Sequence, residues 1–249
     1  MMYKVTIDNT KPTSTDGFSD ALPTASTRDA GTYYVWYYAK ADATHTDSEI
    51  SATAIMVTVA NVLLSAATTS DYGKVVCAAG HLHIAKTAVP TGCIAVGILG
   101  RVTSTGHGLI LALQNATNQG WGTINGWTSE NTYAGTTLKV LPDDAARGAN
   151  LMSYTTLGTI AVSNWAVAQY SDYEAIFTKL GSTTGDGYGA TYDDKVNAYI
   201  TTGVGGSAIS GNYWSATEAD VDAKYYFRSD YWRTSSAGYT RNVRPVLGF

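Results

Sequence analysis

The residues best suited to chemistry in this chain are two closely spaced histidines and two cysteines. His81 and His83 lie at positions i and i+2, so in a strand both side chains point to one face and could ligate a metal ion. No carboxylate or third histidine stands in register with them, and we therefore predict no metal site. Cys77 and Cys93 are too few for a disulfide framework. The sequence leaves open one bridge or two buried thiols, and it slightly favours free thiols.

Motifs typical of enzymes are absent from the sequence. No glycine-rich phosphate loop follows a strand pattern, no nucleophile elbow accompanies a histidine, and no paired Cys or His motif has zinc spacing. His45 follows a strand pattern and is interpreted as a solvated loop residue. We therefore expect a protein that has neither catalytic activity nor a cofactor.

Composition and charge narrow the class of protein. A chain of 249 residues suffices for one large or two ordinary domains. Only 14% of the residues are charged while Gly, Thr, Ser and Tyr are plentiful, which favours strands and loops over long helices. The net charge of -4 without any basic run argues against a nucleic-acid partner. No apolar stretch is long enough to span a membrane, and no signal peptide is visible.

The secondary structure that the sequence predicts begins with a β-rich segment. Lys4–Ile7 and Ala54–Val59 alternate between apolar and polar residues, and Asp29–Tyr38 is a turn followed by a run of β-formers. The string "DAGTYYVWYYAKADATHTDSE", followed by "VTV", resembles the second half of a bacterial immunoglobulin-like repeat. We predict an all-β, immunoglobulin-like segment over residues 1–62 that lacks the opening strands of a full sandwich. Asn61–Ser70 is the candidate linker, and its apolar run Val62-Leu63-Leu64 indicates that it is partly packed.

Helices are predicted mainly in the last third of the chain. Ser171 and Glu174 have the spacing of a capping box, apolar residues follow at helical spacing, and Gly181 is a typical C-terminal stop. A second short helix is predicted over Asp193–Ile200, and another from Leu151 onward.

The last stretch of the chain has two apolar ends and a middle without hydrophobic periodicity. Tyr213-Trp214 and the segment 243–249 are typical of a rigid frame, within which Arg244 is expected to make an ion pair or backbone hydrogen bonds. The middle is rich in Tyr, which offers large contact area at low entropic cost, and in Ser and Asp, which offer adaptable hydrogen bonds. We predict a displayed ligand-binding surface formed by Asp220, Asp222, Tyr225, Arg228, Asp230, Tyr231, Arg233, Ser235, Ser236, Tyr239 and Thr240. Tyr225 fits a frame role equally well.

Three of these displayed residues are expected to carry most of the binding energy. They are Tyr231, Arg233 and Tyr239, because Tyr and Arg are enriched at the energetic hot spots of interfaces. Trp232 is compatible with either an exposed contact or a buried position.

The strings "YWSATE", "YYF" and the terminal "RNVRPVLGF" together resemble the variable proteins of diversity-generating retroelements, and the likeness extends over roughly residues 70–249. The resemblance implies a C-type lectin-like domain of the formylglycine-generating-enzyme type over residues 63–249, and therefore an α+β fold. It also implies that a retroelement diversifies the displayed side chains. Their target would be a protein or glycan, and their carrier a bacterial cell surface or a phage virion.

Two alternatives stay open at this point. A fixed structural or stalk-tip adhesin would use the same surface without diversification. An enzyme of the formylglycine-generating type would need reactive cysteines, yet both cysteines lie outside the matching motifs. The calcium-loop strings of sugar-binding C-type lectins do not occur in the chain, so a calcium-dependent sugar site has little support.

Overall fold

The computed structural model divides the chain into two compact units, Met1–Asn61 and Val62–Phe249. The structure describes residues 1–24, 28–104, 106–120, 130–133, 136–141, 148–149, 151–182, 192–218, 223–228, 231–236 and 239–249. None of the helices in these ranges combines the length and the apolar character that crossing a lipid bilayer requires.

The first unit is built on one antiparallel sheet. Its strands are β1 (Met2–Thr6), β2 (Gly31–Tyr38) and β3 (Ile55–Val59), with β2 in the centre. All three predicted strands are confirmed, with ends shifted by one or two residues. Trp36 of β2 is buried, and its indole Nε1 donates to Thr6 Oγ1 at 3.1 Å. The described residues of this unit form a single sheet, whereas an immunoglobulin sandwich packs two.

The second unit is a set of sheets with two α-helices in its described part. Its strands are β4 (Val62–Leu63), β5 (Val75–Cys77), β6 (His81–His83), β7 (Ala95–Ser104), β8 (His107–Ala112), β9 (Ala116–Gly120), β10 (Glu130–Tyr133), β11 (Thr136–Val140), β12 (Thr156–Leu157), β13 (Ile160–Ala161), β14 (Ala166–Val167), β15 (Asn212–Glu218), β16 (Ala223–Arg228), β17 (Tyr231–Ser236), β18 (Thr240–Val243) and β19 (Val246–Gly248). The helices are α1 (Tyr170–Lys179) and α2 (Tyr192–Thr201).

These strands pair into three sheets. The largest has the order β10-β11-β14-β19-β8-β7-β5-β6-β4, a second has the order β17-β16-β15-β18-β9, and β12 pairs with β13 alone. β7 and β8 lie near the middle of the largest sheet, and most of their residues are buried. Short, nearly continuous apolar runs are typical of strands that are covered on both faces. The last strand pairs with β8 in the register Val246↔Leu111, so the end of the chain belongs to the core.

The predicted α+β class is wrong. Strands account for 39% of the residues and helices for 12%, which places the molecule much nearer to an all-β protein. The composition, which is poor in charge and rich in Thr and Tyr, had favoured strands. The α+β expectation came from the family resemblance alone.

The predicted helix at Ser171 exists but begins earlier and without the predicted cap. Gln169 is the N-cap residue of α1, and its side chain makes no capping hydrogen bond. Instead, the first-turn amide of Tyr170 donates to Thr217 Oγ1 at 2.8 Å. Because a hydroxyl from β15 satisfies this amide, a tertiary contact replaces the local capping box.

Other predictions around the helices had mixed outcomes. The helix over Asp193–Ile200 is confirmed as α2. The helix from Leu151 onward is wrong, since residues 152–154 form no regular element and β12 follows. The partial packing expected within the candidate linker Asn61–Ser70 is confirmed, because the segment contains β4 and a 3-10 turn over Leu64–Ala66, and Leu64 is wholly buried.

The two cysteines are joined. Cys77, at the end of β5, and Cys93, in the turn before β7, form a disulfide whose Cα atoms are 5.4 Å apart, within the usual range. The expectation of free thiols, which the sequence slightly favoured, is therefore wrong. Sequence separation carries no information on whether two cysteines meet, and here the antiparallel pairing of β5 with β7 brings them together.

Candidate functional site

The segment 219–242, which contains all the predicted displayed residues, contributes strands to the five-stranded sheet on both sides of β15. β15, β16 and β17 follow each other as antiparallel neighbours, and β18 lies on the other side of β15. The register places Trp214 opposite Tyr226, and Tyr226 opposite Arg233. Directly opposed residues of neighbouring strands point to the same face, so these three side chains form one row across the sheet.

The inner face of this sheet is held by aromatic packing against α1. The ring of Phe227 stacks on that of Tyr213 at a centroid distance of 5.0 Å and meets the rings of Tyr173 and Phe177 at 5.0 and 5.1 Å. All four residues are buried. Aromatic pairs at such distances stabilise a fold beyond the area they bury, so this cluster fixes the backbone of β15 and β16.

Arg244 ties the end of the chain to this frame. Its guanidinium is wholly buried and donates to two backbone carbonyls, Nη1 to Ala112 at 3.2 Å and Nη2 to Ser207 at 2.7 Å. The Arg244 carbonyl accepts a hydrogen bond of 2.5 Å from the Tyr173 hydroxyl. The predicted backbone hydrogen bonds are thus confirmed. Desolvation lowers the pKa of this guanidinium from its ordinary value.

On the other face of the sheet, the guanidinium of Arg241 contacts two buried aromatic rings and one exposed ring. Its guanidinium carbon lies 3.6 Å from the ring centroid of Tyr226, 4.9 Å from that of Trp214 and 5.8 Å from that of Tyr239. Trp214 and Tyr226 are buried, whereas Tyr239 is 63% exposed. A guanidinium over aromatic faces is a cation–π arrangement, which grows stronger as it is desolvated. Partial burial also lowers the pKa of Arg241.

Sequence reasoning missed Arg241. Arg241 is the first residue of the terminal "RNVRPVLGF" motif and lies in the segment 219–242, yet it was not among the residues predicted to form the displayed surface. The available signal was an arginine at the junction between a tyrosine-rich segment and the frame, where stacking on an aromatic ring is a common role for arginine.

The predicted displayed residues fall into four groups, two of which the structure places in full. Arg233, Ser236, Tyr239 and Thr240 are exposed, and Tyr225 and Ser235 are half-buried. Arg228 and Tyr231 lie in β16 and β17, with side chains outside the described part of the chain, and Asp220, Asp222 and Asp230 lie outside the described residues altogether. Two of the three expected anchors, Arg233 and Tyr239, are therefore open to solvent.

Tyr225 packs on the frame side of the sheet. Its ring lies 5.4 Å from that of Tyr170 in α1, and its carbonyl accepts a hydrogen bond of 3.0 Å from Ser215 Oγ. It alternates with Tyr226 along β16, so it points away from the row that contains Arg233. Of the two roles that the sequence left open, this packing supports the frame role.

The histidines divide between solvent and core. His45 is exposed, and its Nδ1 lies 2.9 Å from Asp42 Oδ1, as expected for a solvated loop residue. Hydrogen bonds, chiefly from the Thr44 amide and the His45 ring, lower the pKa of Asp42 to about 2. Buried His83 instead lies beside the disulfide, where one ligand atom each from Cys77, His83 and Cys93 falls within 4.8 Å of the others. The sequence analysis sought a carboxylate or a third histidine beside His83 and did not pair it with these two cysteines.

Comparison with known family models and curated proteins found no match. The resemblance to retroelement variable proteins therefore stays a prediction.

Proposed function

We propose that this chain is a ligand-binding protein that recognises a protein or glycan through the face of its five-stranded sheet that carries Arg233, Tyr239 and Arg241. The observation that supports this most directly is the stack in which Arg241 joins buried Trp214 and Tyr226 to the exposed ring of Tyr239. An exposed Tyr with a preformed cation–π contact loses less conformational freedom on binding than a free side chain. The proposal involves no catalysis.

Burial separates the side chains of the frame from those of the surface. Tyr213, Trp214 and Phe227 are each no more than 1% exposed, whereas Arg233 and Tyr239 are solvent-exposed. Substitutions of exposed residues usually change the free energy of unfolding by no more than about 0.5 kcal/mol. A surface of this kind tolerates exchange of its side chains, which supports the further proposal that a retroelement diversifies residues in the segment 219–242.

Binding by this surface can be tested directly. The folded chain is screened against a printed glycan array and a panel of intact bacterial cells, and the strongest binder is then titrated with the variants Arg233→Ala and Tyr239→Ala. Each variant is expected to weaken binding by at least about tenfold, the usual effect of losing an anchoring Tyr or Arg. Lys179→Ala, an exposed cation at the end of α1, is the matched control and should leave the affinity unchanged.

Unchanged affinity in both surface variants, with native circular dichroism, would reject this surface as the binding site. Diversification has its own test in the DNA that flanks the gene. A reverse-transcriptase gene and an imperfect repeat of the codons for residues 219–242 are expected there. Their absence, together with binding that depends on Tyr239, would indicate a fixed adhesin instead.

A further inference from the structure

A second potential site lies around the disulfide, away from the five-stranded sheet. Cys77 ends β5, His83 ends β6, and the antiparallel register pairs Val75 with His83. Because Cys77 lies two residues beyond Val75, it shares a sheet face with His83 as a diagonal neighbour, within reach of a long side chain. Cys93 joins them from the turn that precedes β7.

The chemistry of this trio is that of a soft metal site. The two sulfur atoms and one ring nitrogen all lie within 4.8 Å of one another. Cys77 is 1% exposed and His83 is 8% exposed, whereas Cys93 is half-buried, so two of the three ligands are largely shielded from water. Thiolate and imidazole are the ligands that zinc prefers, and it binds them tetrahedrally at about 2.3 Å and about 2.0 Å.

We propose that, after reduction of the Cys77–Cys93 bridge, the two thiolates and the His83 imidazole bind one Zn²⁺ ion. A dithiol reductant supplies two electrons and two protons, cleaves the S–S bond to give two thiols, and is itself oxidised to a disulfide. Zinc then displaces one proton from each thiol and forms two Zn–S bonds and one Zn–N bond. A water molecule completes the tetrahedron, as it does in other sites with three protein ligands.

Zinc binding requires only a small increase in the distance between the two sulfur atoms, and the turn that contains Cys93 can provide it. Two sulfur atoms bound to one tetrahedral zinc lie about 3.8 Å apart, against about 2.05 Å in a disulfide. Cys77 is fixed by strand pairing to β7, whereas Cys93 belongs to a turn closed by its own amide, which donates to the Pro90 carbonyl at 3.1 Å. Movement of the turn can therefore open the pair while β5 and β6 keep their register.

Zinc would hold together the same segments that the bridge holds in the oxidised protein. Both forms join the end of β5 to the turn before β7, and zinc adds the end of β6. Structural zinc sites contribute folding free energy, so the fold would keep a cross-link in a reducing compartment as well as in an oxidising one. This inference does not depend on the proposed ligand-binding surface.

The test compares the oxidised and reduced forms of the full chain. The protein is treated with a dithiol, desalted under nitrogen and titrated with Zn²⁺ and, separately, with Co²⁺. The reduced protein is expected to bind one equivalent of Zn²⁺, to release protons on binding, and to give the thiolate-to-cobalt absorption of a tetrahedral site. The oxidised protein is expected to bind no Zn²⁺ at this site.

Two variants locate the ligands. His83→Asn should weaken Zn²⁺ binding by at least about tenfold, since even loss of a group that only supports a ligand costs that much. The double variant Cys77→Ser/Cys93→Ser should abolish the cobalt charge-transfer band. His107→Asn, an exposed histidine in the β7–β8 hairpin, is the matched control and should bind as the wild type does.

Three outcomes would overturn the proposal. The first is a reduced wild type that binds no more Zn²⁺ than the double-serine variant, and the second is a folded His83→Asn variant with wild-type affinity. X-ray absorption of the zinc-loaded wild type decides the matter without any variant. Two sulfur ligands and one imidazole nitrogen support the site, whereas two sulfur ligands without imidazole refute it.

Discussion

Tyr173 contacts several separate parts of the frame. It is wholly buried in α1, its ring packs on those of Phe177 and Phe227, and its hydroxyl donates to the Arg244 carbonyl. The amide of Ala168 also donates to that hydroxyl, at 3.4 Å. Burial raises the pKa of Tyr173 well above its ordinary value of 10.0. One phenol group therefore couples helix α1 to the end of the chain.

Tyr173→Phe is expected to lower the free energy of unfolding by about 1–3 kcal/mol at neutral pH, because it removes a partner of a buried carbonyl. This deficit relative to the wild type should shrink as the pH rises above 10. The unfolded wild type releases the Tyr173 phenol proton at about pH 10 while the folded protein still holds it, so alkaline pH destabilises the wild type by a contribution that the variant lacks. Urea unfolding at pH 8 and pH 11 measures both quantities.

Tyr239→Phe is the control for this prediction, since its hydroxyl belongs to an exposed side chain and should alter stability by no more than about 0.5 kcal/mol. A stability difference between wild type and Tyr173→Phe that stays constant from pH 8 to pH 11 would contradict the proposed ionisation.

Individual residues differed in how far the sequence revealed their roles. The burial of Tyr213, Trp214 and Phe227 followed from apolar type and motif. The N-terminus of α1 did not, because the satisfying hydroxyl, Thr217, lies 47 positions away in the sequence and no local rule could find it. The role of Arg241 was not predicted for the same reason, since the aromatic rings on which it stacks are brought together only by the folded sheet.

At the scale of elements, each of the two helices is followed by a glycine of left-handed backbone conformation, but the two glycines have different surroundings. Gly181 follows α1 with φ +94°, and Gly203 follows α2 with φ +78°. After α1, the Gly181 amide donates to Thr178 and the Ser182 amide to Phe177, which is the Schellman pattern. A Cβ on Gly181 would meet nothing within 4 Å, whereas a Cβ on Gly203 would collide with the Thr87 carbonyl.

Alanine substitutions at these two glycines distinguish the cost of backbone strain from the cost of a steric collision. Gly181→Ala should cost about 1 kcal/mol, the strain of a left-handed residue that carries a Cβ. Gly203→Ala adds a clash with backbone atoms, which cannot rotate away, and should cost at least about 2 kcal/mol. Chemical unfolding of both variants beside the wild type checks the order. Equal losses in the two variants would show that the backbone at Thr87 moves aside and relieves the collision.

Elements with a strong local signal were predicted well and those without one were not. The run Gly31–Tyr38 is so rich in β-formers that only a strand fits it, and the short helix predicted over Asp193–Ile200 is present as α2. Leu151 had acidic and alanine residues before it, which suit a helix start, but the segment after it forms no regular element before β12. Pairing partners, such as β14 beside β19, depend on contacts between distant segments and were not predictable.

At the scale of the whole molecule, the two units bury very different amounts of apolar surface. In the described part of Met1–Asn61, Trp36 and Tyr38 are the buried hydrophobic residues, while Ile55, Met56 and Val57 of β3 are exposed. Val62–Phe249 contains the large core that surrounds β7 and β8. Composition predicted this β-rich character, whereas analogy with a family supplied the helical half of the α+β class.

This contrast predicts unequal local stability within one chain. A three-stranded sheet with few buried side chains opens at a smaller free energy than strands in the centre of a nine-stranded sheet. Hydrogen exchange of the intact protein, followed by mass spectrometry, should therefore show β2 amides exchanging at least about a hundredfold faster than β8 amides, which corresponds to about 2.7 kcal/mol. Trp36→Ala should accelerate exchange in β1, β2 and β3 further, because the indole fills much of that small core. Equal protection of β2 and β8 in the wild type would mean that the first unit is stabilised by something other than the burial seen in its own sheet.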